Sequence, residues 1–385
     1  MALGGPVRDF IGYGAAPPDP QWPGAARIAV NFVINFEESS EPSMGDGDPS
    51  TEAGLIECPS DAPPGVRDLA SESMFEFGSR VGFWRVLKEF TERGVPATVM
   101  ACALAMQRLP EATEALLSRP DLFDMCCHGY RWEDHCVMER EQEREQIRKA
   151  IALMEEISGE RPVGWCECSR SLCVFFRSLR KKRLHRLPHR AECAHARAPA
   201  GGGRGPLPRK QPLLSIQLPR RSQRSSAAQY DSDSYADEIP YWTTVGEGAT
   251  PHLVVPYSLC TNDSKYGPGR AFSTSDDCSN KNNFSDLRAV RLANLKSITI
   301  SDFTFLRDAF DVLYAEGGKM MSCGLHMRLI GHPARIKGLR QFMDYVQGHP
   351  GVWLCKRSDV AKHWMEHFPY EPGGGGSDAD VSAKL

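Results

Sequence analysis

The sequence predicts an α/β fold built on mostly parallel strands, and two observations carry that expectation. Ala29, Val30, Phe32, Val33, Ile34 and Phe36 make a near-continuous apolar run of strand length, the pattern of a strand covered on both faces. Strand-like and helix-like segments then alternate along the chain, which predicts parallel strands joined by right-handed crossovers. With 385 residues the chain can build a large core, as one big α/β domain or two ordinary ones.

The first strand ends abruptly at two adjacent carboxylates, Glu37 and Glu38. Successive strand residues point to opposite faces, so a regular strand sends at most one of the two inward. Upstream, residues 7–24 are rich in Gly, Pro and aromatics and read as an ordered irregular arm. Residues 39–70 read as a long polar loop. Ser79 to Arg93 has helical spacing of Val81, Trp84, Leu87 and Phe90, with Gly94 as its stop. Pro96–Ala101 is a second strand, Glu111–Leu117 a short helix, and Leu122–Cys127 a third strand followed by His128. Asp134–Ile157 is a long helix closed by Gly159. From Cys166 to about Ala228 periodicity disappears in a basic, Gly- and Pro-containing stretch, expected to be a disordered insert rather than a nucleic-acid arm. Order returns at Tyr230. Leu253–Tyr257 reads as a strand, 278–301 as a second insert, and Phe303–Ala315 as a helix. Lys319–Gly324 is a strand leading into His326, followed by a helix over 334–347, a strand over 351–355 and a helix over 358–367.

The net charge of −3 singles out no partner class, and neither nucleic acid nor membrane is expected as a partner. No apolar run approaches the roughly 20 residues of a membrane span. The start of the chain shows no signal peptide, so the 13 cysteines are expected to be reduced in an intracellular protein. Ala383-Lys384-Leu385 is similar to a peroxisomal address and ends a Gly/Ser-rich tail, giving a peroxisomal or cytoplasmic expectation.

Glu37 and Glu38, His128, and His326 each follow an expected strand. In a closed parallel barrel those positions converge on one rim. Paired carboxylates with two imidazoles there form an acid/base set suited to hydrolysis. A zinc site is not expected from the cysteines, which lack paired-ligand spacing.

Phe36-Glu37-Glu38 resembles the Phe-Asp-Asp motif of the polysaccharide deacetylase (NodB) superfamily. His128-Gly129-Tyr130-Arg131-Trp132 sits where that superfamily carries His-Ser/Thr-x-x-His, and Leu325-His326 resembles its last His motif. Within the superfamily the chain resembles the cofactor-independent allantoinase family. The resemblance runs through Asp9–Gly14, Arg27–Val33, Gly82–Arg85, Gly159–Trp165, Tyr230–Asp237, Asp308–Gly317 and Gly324–Arg328. It implies a distorted parallel (β/α) barrel over 27–372, with disordered inserts at 166–228 and 278–301, an arm at 1–26 and a flexible tail at 373–385. The inserts read as foreign to the fold, as translated intron or frame-shifted sequence would.

The resemblance also implies a hydrolase of carbon–nitrogen bonds that opens the hydantoin ring of allantoin, a small ureide. In the metal-dependent members the third ligand is a His, whereas this chain has Trp132 there, so no metal and no cofactor are expected. Glu37, Glu38, His128 and His326 are the implied catalytic set, with Glu37 as general base and His326 as general acid. Trp132, Asp233, Tyr235 and Arg328 are the implied substrate-binding residues. The assembly is expected to be a homo-oligomer. A metal-dependent deacetylase of N-acetylated sugars, or a homologue inactivated by its inserts, stand as the alternatives.

Overall fold

The computed structural model describes residues 9–56, 60, 65–133, 135, 138–167, 229–245, 250–266 and 304–371. The remainder of the expected inserts (168–228 and 278–301), the tail and its terminal tripeptide 383–385 lie outside the described residues.

Among the described residues, one nine-stranded sheet organises the chain. Its strands are β1 (Ile28–Phe36), β2 (Ala97–Ala101), β3 (Phe123–Cys127), β4 (Gly164–Trp165), β5 (Tyr230–Asp231), β6 (Tyr241–Val245), β7 (Thr250–Val254), β8 (Lys319–His326) and β9 (Val352–Leu354). The order is β6-β7-β5-β4-β3-β2-β1-β8, with β9 beside the start of β1. Every pair is parallel except the β6–β7 hairpin, which sequence periodicity did not reveal. The segment 255–262 carries the chain from β7, next to one edge of the sheet, to β8 at the other. Val255 and Tyr257 donate backbone N–H groups to Asp231 and Ser234, while Gly324 donates to Thr261 and Asn262 bridges to Gly324. The sheet therefore curls into the distorted barrel that the sequence implies.

All nine residues of β1 are buried. Ile28, Val30, Phe32, Ile34 and Phe36 join the large core shared with the helices. Phe32 packs edge-on against Phe90 and Phe342, with ring centroids 5.6 and 6.1 Å away. Each such buried side chain contributes about 1.5–3 kcal/mol. Val33 faces the other way, into an inner cluster with Met100, Cys126, Cys166 and Tyr257. The alternation continues to the strand end and decides where Glu37 points.

The helices are α1 (Leu69–Phe77), α2 (Phe83–Arg93), α3 (Ala103–Arg108), α4 (Pro110–Leu117), α5 (Arg140–Ser158), α6 (304–316), α7 (Met327–Ile330), α8 (Pro333–Gln347) and α9 (Arg357–His367). The helix expected over 79–93 is α2 preceded by a π-helical turn, Gly78–Gly82, which joins it to α1 upstream. Three glycines explain the turn. A Cβ on Gly82 or Gly331 would run into the backbone of Met327, and one on Gly78 would lie 2.7 Å from Glu38 Cγ. The turn thus lies directly on Glu38 and on α7, which carries Arg328.

Cys166 and Glu167, read from sequence as the start of the first insert, belong to the barrel. Cys166 is buried, and its N–H donates to Cys127 at 2.9 Å. Among the described residues no helix is long and apolar enough to cross a membrane.

Candidate active site

Glu37 continues the inward set of Asn31, Val33 and Asn35 and sits at the barrel rim. The next residue turns to the other side, and Ser39 takes φ of +73°, closing the turn with Ser40 N–H donating to Glu37 O at 2.9 Å. Adjacent carboxylates are thereby sent to opposite faces, as strand geometry requires.

Both carboxylates meet one guanidinium. Arg328 Nη1 donates to Glu37 Oε2 at 2.9 Å and to Glu38 Oε1 at 3.4 Å, and its backbone N–H donates to Glu38 Oε1 at 3.0 Å. Arg328 Nε is held by Leu55 O at 2.9 Å. The rings of Phe75 and Trp132 lie 5.0 and 4.9 Å from the guanidinium carbon. Glu37, Glu38 and Arg328 are all buried.

Two imidazoles converge on Glu37 from neighbouring strand ends. His128 Nε2 lies 3.1 Å from Glu37 Oε1, and His326 Nε2 lies 3.6 Å from Glu37 Oε2. Each ring is fixed from behind at Nδ1, by Cys166 O at 2.8 Å for His128 and by Asp263 Oδ1 at 2.6 Å for His326. Asp263 Oδ2 also accepts the backbone N–H of His326 at 2.8 Å. A carbonyl or carboxylate at Nδ1 places a proton there. Sequence reasoning missed Asp263, which sits in an aperiodic Asn-Asp-Ser turn without a motif of its own.

The charges follow from these contacts. Burial alone raises the Glu37 carboxyl, but His326, Arg328 and His128 outweigh it and hold the group far below the usual carboxylate range. Burial opposes the charged form of His128, yet the hydrogen bond to Glu37 lifts its pKa to about 9. At neutral pH the pair is imidazolium and carboxylate. Burial dominates at Glu38 and raises it, in part because Glu37 is beside it. Glu41, desolvated a turn further on, is pushed up to about 7.

The metal that the resemblance implies for the metal-dependent members does not fit this donor set. Arg328 occupies the space between the two carboxylates, Trp132 has no ligating lone pair, and its ring lies against Phe75 and Arg328. His128 has both ring nitrogens committed to other partners. Among the described residues, no group of three or more His, Cys, Asp or Glu side chains is arranged to hold a metal ion.

Of the expected site residues, the structure brings Glu37, His128, His326 and Arg328 together. Glu38 contacts the cluster through Arg328, from a fully buried position beneath Gly78. Trp132 roofs Arg328 from within the core. Asp233 lies behind His128, accepting the Glu167 N–H on Oδ1 at 2.5 Å. Tyr235 is 53% exposed, beside Asp233 and Glu167, with its ring 6.4 Å from that of Tyr257.

A parallel barrel whose rim gathers a carboxylate pair and two oriented imidazoles defines a hydrolase class, and sequence relatives say which. The family model described as polysaccharide deacetylase matches residues 70–170. A Schizosaccharomyces pombe protein assigned by its name to the polysaccharide deacetylases is 31% identical over 382 residues, covering 95% of this chain and 99% of the relative. The chain belongs to the polysaccharide deacetylase family. Among solved structures it is similar to PuuE allantoinase, with 37% identity, a TM-score of 0.69, and coverage of 96% of this chain and 100% of the other. It is also similar to a Pseudomonas aeruginosa PAO1 protein described as a probable polysaccharide deacetylase, with 38% identity, a TM-score of 0.68, and coverage of 94% and 99%.

Proposed function

We propose that this hydrolase opens the hydantoin ring of allantoin to allantoate. The observation that carries the reading is Arg328 set between Glu37 and Glu38. A buried cation there answers both carboxylates, at the place where the resemblance implies a metal in the metal-dependent members, and the whole-length similarity to PuuE allantoinase supports the choice of substrate.

The reaction adds water across a ring amide. The water oxygen bonds to the carbonyl carbon, the carbon–nitrogen bond breaks, and the nitrogen leaves with a proton. Glu37 takes the proton of the attacking water. Held by His326, Arg328 and His128 it is a weak base, and substrate entry that loosens the His128 contact raises its basicity. His128, charged at neutral pH, then donates from Nε2 to the oxyanion. His326, anchored by Asp263 and with Nε2 3.6 Å from Glu37 Oε2, takes the water proton from Glu37 and passes it to the leaving nitrogen, which returns both groups to their starting state. Glu38 and Trp132 act through Arg328, fixing its position.

Initial rates with allantoin and with chitin oligomers, before and after EDTA treatment, test the proposal. Allantoin turnover that survives EDTA is expected. Loss with EDTA and recovery with zinc, or acetate release from chitin oligomers without allantoin turnover, would establish the metal-dependent deacetylase instead.

A further inference from the structure

We infer that Asp233 is a positioning residue for His128, acting through the single peptide group between Cys166 and Glu167. That group is bound at both ends. Its carbonyl oxygen meets His128 Nδ1 at 2.8 Å, and its N–H meets Asp233 Oδ1 at 2.5 Å. The peptide is trans, so its C=O and N–H point to opposite sides of one rigid plane. A carboxylate on the N–H side draws electron density toward the carbonyl oxygen and makes it a better acceptor for the imidazole proton. The plane is fixed in turn. Cys166 N–H bonds to Cys127 O at 2.9 Å, and Asp233 N–H bonds to Asp231 Oδ1 at 3.1 Å.

The two imidazoles facing Glu37 then have equivalent support. His326 has Asp263 directly on Nδ1, and His128 has Asp233 one peptide away. Asp233 is desolvated and faces Asp231 and Glu167, which bring its carboxyl up to about 7 against the opposing pull of the Glu167 N–H and of His128. Besides Asp233, the ionisable groups around His128 are Glu37 and Cys102, whose thiol contacts His128 O. This role is distinct from the substrate-holding role that the sequence resemblance implies for Asp233, and only its kinetic arm rests on the allantoinase reading.

The test compares Asp233→Asn and Asp233→Ala in the full chain, reading the His128 imidazole titration by NMR. Asn keeps an oxygen for the Glu167 N–H but loses the charge, and Ala loses both. The His128 pKa is expected to fall by about half a unit in Asp233→Asn and by about one unit in Asp233→Ala, with His326 unmoved. If allantoin is the substrate, kcat falls about tenfold in Asp233→Ala at unchanged KM, the scale of removing a group behind a functional imidazole. Equal shifts in the two variants would mean charge alone acts through space and would overturn the peptide-mediated role. No shift in either variant, or a rise in KM at constant kcat, would overturn it as well. The near-isosteric Asn variant and the substrate-free titration keep the test open if Ala impairs folding or if allantoin is not turned over.

Discussion

Arg328 and Arg357 are both sealed inside the barrel, one at the rim and the other nearer the starts of the strands, and they differ in what surrounds them. Arg328 is answered by charge, with Glu37 and Glu38 on its guanidinium. Arg357 is answered by neutral dipoles. Its guanidinium donates to Asn31 Oδ1 at 2.9 Å, Ser322 Oγ at 2.8 Å, Ser232 Oγ at 2.9 and 3.0 Å, and the carbonyls of Pro256 and Val255. Those groups come from β1, β8 and the segments after β5 and β7. One side chain at the start of α9 therefore ties together strands far apart in sequence. Arginine stays charged in either setting. At the rim that charge acts on the protonation of Glu37 and Glu38, whereas below it the same charge gathers amide, hydroxyl and backbone oxygens. The comparison separates chemistry from scaffold within one barrel.

Breaking the rim side of the comparison has the largest expected effect. Glu37→Gln removes the proton acceptor and the partner that holds His128 charged, while keeping the shape. Turnover is expected to fall about 10³-fold or more, equivalent to about 4 kcal/mol in the barrier. Steady-state kinetics beside a thermal melt checks this, since a matching loss of fold would assign Glu37 to scaffold.

The scaffold side breaks in the opposite sense. Arg357→Met fills much of the volume but leaves Asn31, Ser232, Ser322 and two carbonyls buried without their donor. About 3–4 kcal/mol of stability is expected to go. Chemical denaturation measures it, with kcat per folded molecule unchanged. A drop in kcat without a drop in stability would move Arg357 into the catalytic machinery.

The contrast also explains what the sequence could reveal. Glu37, His128 and His326 were legible because each follows an apolar strand segment, and parallel strands present their ends on one rim. The partners that tune them were not. Asp263 and Asp233 lie on irregular segments whose approach to the imidazoles is set by the curl of the sheet, and Arg357 gathers residues more than 300 positions apart, such as Asn31. Local periodicity showed the helix over 79–93 but not the π-helical turn at its start, because Gly78 and Gly82 are packed against Glu38 and Met327, far away in sequence. Cys166 looked like the start of foreign sequence because composition changes there, although its own side chain fills the inner core.

A pH titration sharpens the comparison next. The His128 pKa is raised to about 9 in the folded protein, above the ordinary imidazole value of about 6.5. Its contribution to stability is therefore complete below about pH 6.5 and is lost as pH rises through about 9. The shift corresponds to at most about 3 kcal/mol, shared with Glu37 because the two form one pair. Urea denaturation from pH 6.5 to 10 is expected to show this loss in the parent protein and a flatter profile in His128→Gln. An equal slope in both proteins would remove His128 as its source.

The smallest expected effect concerns the aromatic rings, which both arginines have. The Arg328 guanidinium carbon lies 4.9 Å from the Trp132 ring, and that of Arg357 lies 5.5 Å from the Tyr257 ring. If carboxylates rather than ring faces distinguish the rim, Trp132→Phe should change little at the site. Trp132 Nε1 has no hydrogen-bond partner among the described residues, so the substitution breaks no such bond, and Phe keeps a ring face for the guanidinium. A stability loss of about 1 kcal/mol is expected, from a weaker cation–π contact and a small void, with turnover within about threefold of the parent. A far larger fall in turnover at preserved stability would show that the indole itself takes part in the reaction, beyond roofing Arg328.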